Sequence, residues 1–264
     1  MNIRSLSLAA LMPILGLLAP SAQAQEMLGP IATDRPGNGN AATVMAWRRL
    51  NIEASVAGSH DNPTGVADHV LSLPLLMRFG LHKRAELRVG ANFFELYHPV
   101  GGPADVTSGA FVVGTKLRLS QAAGARPALA LSADLGIDLE PGLGLLESFN
   151  PDVRLLGAWA LPAGFGLLLN IGVDAPDLAG EREVALIHVV NLGYTLPVAD
   201  GRASIFIESF GKSSLRAGAP PILQVDVGGA FRLTDELQID TFVQLGASEA
   251  APDVQLSLGF SARI

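Results

Sequence analysis

Asp253-Val254-Gln255-Leu256-Ser257-Leu258-Gly259-Phe260-Ser261-Ala262-Arg263-Ile264 is the stretch whose reading decides the fold. Val254, Leu256, Leu258, Phe260, Ala262 and Ile264 alternate with Asp253, Gln255, Ser257, Gly259, Ser261 and Arg263. Successive side chains of a strand point to opposite faces, so the segment has one apolar face and one polar or small face. A helix would group its apolar residues three and four apart. Working back along the chain, the same period governs residues 128–139, where Leu129, Leu131, Leu135 and Ile137 alternate with Ala130, Ser132, Asp134 and Gly136. It governs 84–93, with Leu87, Val89 and Phe93 against Glu86, Arg88 and Asn92, and 49–56, with Leu50, Ile52 and Val56 against Asn51, Glu53 and Ser55. Continued in this way, the pattern predicts twelve strands, near 47–57, 68–80, 83–97, 107–119, 127–139, 151–162, 165–174, 183–196, 202–211, 222–233, 236–246 and 253–264. Most reach the roughly ten residues that a tilted transmembrane strand needs. Segments 183–196 and 222–233 alternate least, and the sequence leaves their facing open.

The connections carry a second signal. Residues 80–83, 120–126, 162–164, 197–201 and 234–236 form short turns. Residues 58–67, 98–106, 140–150, 175–182, 212–221 and 247–252 form longer loops rich in Gly and Pro. Short and long alternate along the whole chain, as in outer-membrane barrels with short periplasmic turns and longer outer loops. An even number of strands then brings both termini to the periplasm.

Composition points the same way. Hydrophobic residues make up 49% of the 264, charged residues 16%, and the mean hydropathy is +0.36. Ordinary soluble domains are about 25% charged. Beyond residue 24 no apolar run approaches the ~20 residues of a spanning helix. A closed barrel is the other way to satisfy every backbone group in hydrocarbon. The water-soluble rival is a β-sandwich or lipocalin-like barrel with its apolar face inward. The overall apolarity, the 29 glycines and the loop alternation favour the membrane form.

The start reads as a secretory signal peptide, residues 1–24: Arg4, an apolar run from Leu6 to Leu18, and Ala22-Gln23-Ala24 as a cleavage site. Residues 25–46 are then a periplasmic leader or plug segment, and 47–264 the barrel. Cleavage removes Arg4, so 17 of the 18 basic residues face 25 acidic ones. That balance argues against nucleic acid as a partner. Cysteine is absent, which excludes disulfides and thiolate metal sites.

Several segments in order resemble one known family. They are Thr33-Asp34-Arg35-Pro36, Leu73-Pro74-Leu75-Leu76-Met77-Arg78-Phe79-Gly80, Gly114-Thr115-Lys116-Leu117-Arg118-Leu119, Phe206-Ile207-Glu208-Ser209-Phe210-Gly211 and Leu233-Thr234-Asp235-Glu236-Leu237. Together they are similar to the outer-membrane transporters named after the meta-pathway of phenol degradation. The chain departs from that pattern at its end, where Ile264 replaces a terminal aromatic. The resemblance implies a barrel of the Gram-negative outer membrane that takes up small aromatic or other hydrophobic compounds. Its partners would be outer-membrane lipid, the barrel assembly machinery and a small-molecule solute.

Charged residues on the polar strand faces are expected to line the lumen: Arg78, Glu86, Arg88, Lys116, Arg118, Arg154, Glu208, Asp226 and Asp240. An Arg or Lys on the lipid face would cost about 2–4 kcal/mol at mid-membrane. These residues either select solutes or pair with one another and fill the interior. Asp34 and Arg35 are the plug candidates, through pairing with wall charges. Trp47, Tyr97, Trp159, Phe165 and Tyr194 lie near strand ends and suit an interfacial aromatic girdle. The five histidines, at 60, 69, 82, 98 and 188, show no ligand spacing. No G-x-S-x-G motif or nucleophile–base pair is visible. The sequence therefore predicts no enzyme activity, no catalytic residue, no metal and no cofactor. It predicts a channel or transporter for passive uptake, with a structural or adhesive barrel of closed lumen as the alternative.

Overall fold

The computed structural model describes residues 29–62, 68–107, 111–139, 146–178 and 181–264. The expected signal peptide, the first residues of the leader, parts of three of the longer loops and residues 108–110 of the expected fourth strand lie outside the described residues. Twelve long strands make up the wall. They are β1 (Leu50–Asp61), β2 (Asp68–His82), β3 (Ala85–Pro99), β4 (Phe111–Ser120), β5 (Ala128–Leu139), β6 (Leu146–Ala160), β7 (Phe165–Asp174), β8 (Ala185–Thr195), β9 (Ala203–Ser214), β10 (Ile222–Arg232), β11 (Leu237–Gly246) and β12 (Val254–Arg263). Each pairs antiparallel with its neighbour in sequence. β12 returns to β1, from Asn51 opposite Arg263 to His60 opposite Val254. The sheet thus closes on itself as a transmembrane β-barrel.

The two faces decide between the membrane barrel and its soluble rivals. Asn51, Glu53, Arg78, Glu86, Lys116, Asn170, Glu208 and Asp226 are buried, while Val56, Val113, Val190, Ile207, Val227 and Leu258 are exposed. In a single closed sheet the buried face is the inside. The apolar residues of the alternating pattern therefore stand outward and the polar ones inward, the reverse of a water-soluble barrel. Among the described residues no helix is long and apolar enough to cross a membrane. The strands leave no edge, so the backbone satisfies itself within hydrocarbon.

The five short connections gather at one end, with the C-terminal Ile264, whose N–H donates to the Leu50 carbonyl (2.8 Å). The longer connections gather at the other. There Asp105–Thr107 adds a short strand to β3, and Asp177–Leu178 pairs with Glu181–Arg182. At the turn end Trp159, Phe165 and Tyr194 stand outside, with the Phe165 and Tyr194 rings 4.7 Å apart. Trp47, also at this end, lies under the Arg48 guanidinium at 4.4 Å. Tyr97 lies near the loop end of β3.

Several boundaries differ from the sequence expectation. β1 starts at Leu50, not at 47, because Arg48 takes a left-handed φ of 62° that turns the chain into the wall. β6 starts at Leu146 and runs through Pro151. Proline removes one donor from the ladder, yet its carbonyl still accepts from the Ala175 N–H at 2.9 Å. β8 is now resolved: Ala185, Ile187 and Val189 are buried inside, and Leu186, Val190 and Leu192 face out. Its alternation is weak because both faces are apolar.

Candidate functional site

The residues ahead of β1 run inside the barrel. The segment enters at the turn end, where the Ile31 N–H donates to the Asp235 carbonyl at 2.8 Å. It leaves at the same end. There Arg48 N–H donates to the Gly80 carbonyl (2.8 Å) and Gly80 N–H to the Arg49 carbonyl (2.9 Å). Gly80 is required at this crossing, since a Cβ there would lie 1.9 Å from the Ala46 carbonyl oxygen.

Asp34 is the centre of the first cluster. Its carboxylate accepts from Lys116 Nζ at 2.7 and 2.8 Å and from Arg88 Nη1, with Arg78 Nε at 3.5 Å. The Ala41 N–H donates to the same carboxylate at 3.0 Å, folding the segment back on itself. Arg78 then spans wall and segment. It donates to Glu86 (2.8 and 3.0 Å) and Glu53 (3.0 Å), and to the carbonyls of Ala32 and Thr43, both at 3.1 Å. Glu53 accepts from the Asp34 N–H at 3.0 Å, Glu86 from the Met45 N–H at 2.6 Å, and Arg88 Nε reaches Asp134 at 3.0 Å. Asp34, Glu53 and Glu86 with Arg78, Arg88 and Lys116 are all buried. Ions so placed need good pairing and further hydrogen bonds to offset the loss of water, and the segment's backbone supplies them.

A second cluster centres on Arg35. Its guanidinium donates to Asp240 (3.0 Å), Ser257 (3.0 Å) and Ser55 (2.9 Å). The tip, Gly37-Asn38-Gly39-Asn40, forms the third. Glu208 accepts from the N–H groups of Asn38 (2.6 Å) and Gly39 (3.2 Å), and Asp226 from the Asn38 side chain (2.9 Å). The Asn170 side chain accepts from the Asn40 N–H (2.7 Å) and donates to its carbonyl (3.1 Å). Gly37 has a φ of 94°, open to glycine at little cost. Ala42, beyond the tip, packs on Ala130 and Leu156.

The structure brings Arg78, Glu86, Arg88, Lys116, Asp226, Glu208 and Asp240 into this interior network. Arg154 joins at its margin, pairing with Asp152 at 2.7 Å and donating to the Asn38 carbonyl at 3.3 Å. Arg118 stands apart. It keeps register with Lys116, opposite Ala130, but stands near the end of β4 and donates to the Lys83 carbonyl at the turn end. Glu53, Asp134, Asn170 and Ser257 also contact the segment or its partners, and the sequence reading did not single them out. Their signal was present, because each falls on the polar face of its strand.

Among the described residues no set of three or more His, Asp or Glu side chains is arranged to hold a metal. His60 and His69 lie with ring centroids 4.9 Å apart on the two strands at the loop end. His188 packs over Gly211 on the outer face.

No protein-family model matches the chain, and no curated protein matches it in sequence. Solved structures do match in fold. An outer membrane channel from Pseudomonas putida F1 superposes with a TM-score of 0.62 at 14% identity, over 87% of this chain and 99% of the other. The NanC porin gives 0.56 at 8% identity, over 81% and 100%. The translocator domain of the autotransporter NalP from Neisseria meningitidis gives 0.52 at 14% identity, over 88% and 90%. The chain is similar to these in its barrel.

Proposed function

We propose that the protein is an outer-membrane channel for small solutes, closed in this conformation by its own N-terminal segment. The observation that carries this reading is the placement of residues 31–45 across the interior, bonded to wall residues from β1 round to β12. The turn end, with both barrel termini, would face the periplasm, and the segment would sit in the periplasmic half of the lumen. Passage is passive: displacement of the segment exposes Arg78, Arg88 and Lys116 on one side of the lumen and Glu208 and Asp226 on another. Two of the similar structures are an outer membrane channel and a porin, which supports conduction. The motifs shared with the phenol meta-pathway transporters support aromatic or hydrophobic compounds as the solute class.

Planar-bilayer recording of the mature chain and of a variant lacking residues 25–40 tests this. The intact chain is expected to show rare or small openings and the deletion variant sustained steps, reduced by an added aromatic acid. Equal conductance from both inserted proteins would count against the plug, and no conductance from either would favour the structural barrel of closed lumen. The dense ion pairing of the interior is the observation that favours this second reading.

A further inference from the structure

The turn end carries a cleft that the channel reading does not use. It lies between the β2–β3 and β4–β5 turns, with a volume of about 550 Å³. Lys83, Arg84, Arg118 and Arg126 line it, and Ser120 and Gln121 add neutral hydrogen-bonding groups. Among the described residues none of these four cations has a carboxylate within 4.0 Å. Arg118 is steadied by one side-chain bond, to the Lys83 carbonyl at 2.5 Å. Its other N–H groups remain available in a planar fork that fits phosphate oxygens. In lacking a carboxylate the cleft cations differ from their neighbours at the same end, where Arg202 faces Asp200 at 3.8 Å and Arg263 faces Glu236 at 2.5 Å.

The surroundings choose the anion. Leu119 forms part of the cleft and is 54% exposed, and Leu81, just before the β2–β3 turn, is 51% exposed. The cations therefore begin where the apolar outer wall ends. Trp159, Phe165 and Tyr194 stand at the same end of the wall, and such aromatics mark the headgroup level of a bilayer. We propose that this cleft binds the phosphate of an anionic phospholipid in the leaflet at the turn end, with an acyl chain lying along Leu119 and Leu81. A free anion would find the charges but would leave the leucines unused. The site requires the barrel to sit in a bilayer and is independent of whether the lumen conducts.

Native mass spectrometry of the detergent-solubilised protein tests it, with phosphatidylglycerol and phosphatidylcholine supplied in equal amounts and inorganic phosphate in a separate arm. Phosphatidylglycerol is expected to be retained about tenfold over phosphatidylcholine, and retention to fall about fivefold for each of K83Q, R84Q and R126Q. The preference should shrink as salt is raised, since exposed charges are screened. Equal retention of the two lipids, or unchanged retention in all three variants, would overturn the site. Inorganic phosphate binding as tightly as phosphatidylglycerol would overturn the lipid assignment. Heat-dependent gel mobility shows whether each variant is folded, and any one folded variant suffices for the comparison. Conductance is read separately, so loss of lipid selectivity and loss of channel activity are distinguishable.

Discussion

Asp34→Asn is the substitution that bears most directly on the closed segment. It keeps the side chain's shape and removes its charge. In the native arrangement that charge faces Lys116 at 2.7 Å, Arg88, and Arg78 at 3.5 Å. Without it, the nearest carboxylate to Lys116 is Glu86 at 3.8 Å. Removing one partner of a buried ion pair costs about 3–5 kcal/mol, because the other charge is left uncompensated. At about 1.4 kcal/mol per tenfold, undocking of the segment becomes easier by roughly two to three and a half orders of magnitude. The barrel itself should persist, since its ladder and apolar belt are untouched. The protein contains no cysteine, so Ala42→Cys places a single thiol on the buried face of the segment. Its labelling by a water-soluble maleimide in proteoliposomes reports undocking. Adding Asp34→Asn should speed labelling by about a hundredfold or more and raise open probability in parallel. Adding Lys116→Gln as well should recover part of the loss, because the lysine is no longer left alone. Unchanged labelling in folded Asp34→Asn protein would refute the view that this cluster holds the segment.

Three further substitutions follow from the same geometry. Gly39→Ala puts a Cβ 2.8 Å from Glu208 Oε2 and 2.9 Å from Leu168 Cδ2; overpacking of this kind costs about 1–3 kcal/mol, and labelling at position 42 should rise accordingly. Gly259→Ala puts a Cβ 2.4 Å from Arg35 Nη2 and 2.3 Å from Asp240 Oδ1. It should break that ion pair and increase conductance without altering barrel stability in urea. Ile171→Arg acts on the outside, where Ile171 is 67% exposed. Refolding into lipid vesicles under denaturant should show a loss of about 2–4 kcal/mol, and no loss would remove Ile171 from the lipid-facing belt.

The fold was legible because a barrel writes its two faces into a period of two. Glu53 and Ser55 inside with Ile52 and Val56 outside needed only alternation and the question of which face met water. What alternation could not supply was the facing of β8, where Val189 inside is as apolar as Val190 outside. The reason lies in a distant part of the chain: a Cβ on Gly39 would sit 3.3 Å from Val189 Cγ1, so the inner wall there meets the segment and not water. Strand ends failed for local reasons. Arg48's left-handed backbone has no marker among its sequence neighbours, and Pro151 looked like a boundary that the ladder tolerates. Of the interior charges, Arg118 shares the face of Lys116 but stands near the end of β4, where it bonds to the Lys83 carbonyl of the turn and not to the segment. The rule that charges face inward holds only within the spanned length of a strand.

The distribution of charge on the inner wall ties the segment to the barrel more closely than any single bond. Glu208 on β9 and Asp226 on β10 stand directly opposite each other. Two carboxylates so placed repel, and like charges facing across strands destabilise a sheet. Asn38 bridges them, giving its backbone N–H to Glu208 and its side chain to Asp226. On the far wall Arg78 and Arg88 are also opposite each other, on β2 and β3, and both reach Asp34. Each like-charged pair thus meets a group of the segment with the complementary character: a donor-rich asparagine for the acids, a carboxylate for the arginines. The two walls are not alike, because the arginines also have wall partners in Glu53, Glu86 and Asp134, whereas among the described residues no wall cation lies within 4.0 Å of Glu208 or Asp226. The acidic pair therefore depends on the segment more than the arginines do. Under the proposed channel reading, undocking would leave an acidic patch on β9 and β10 facing a basic cluster that the barrel has already partly neutralised.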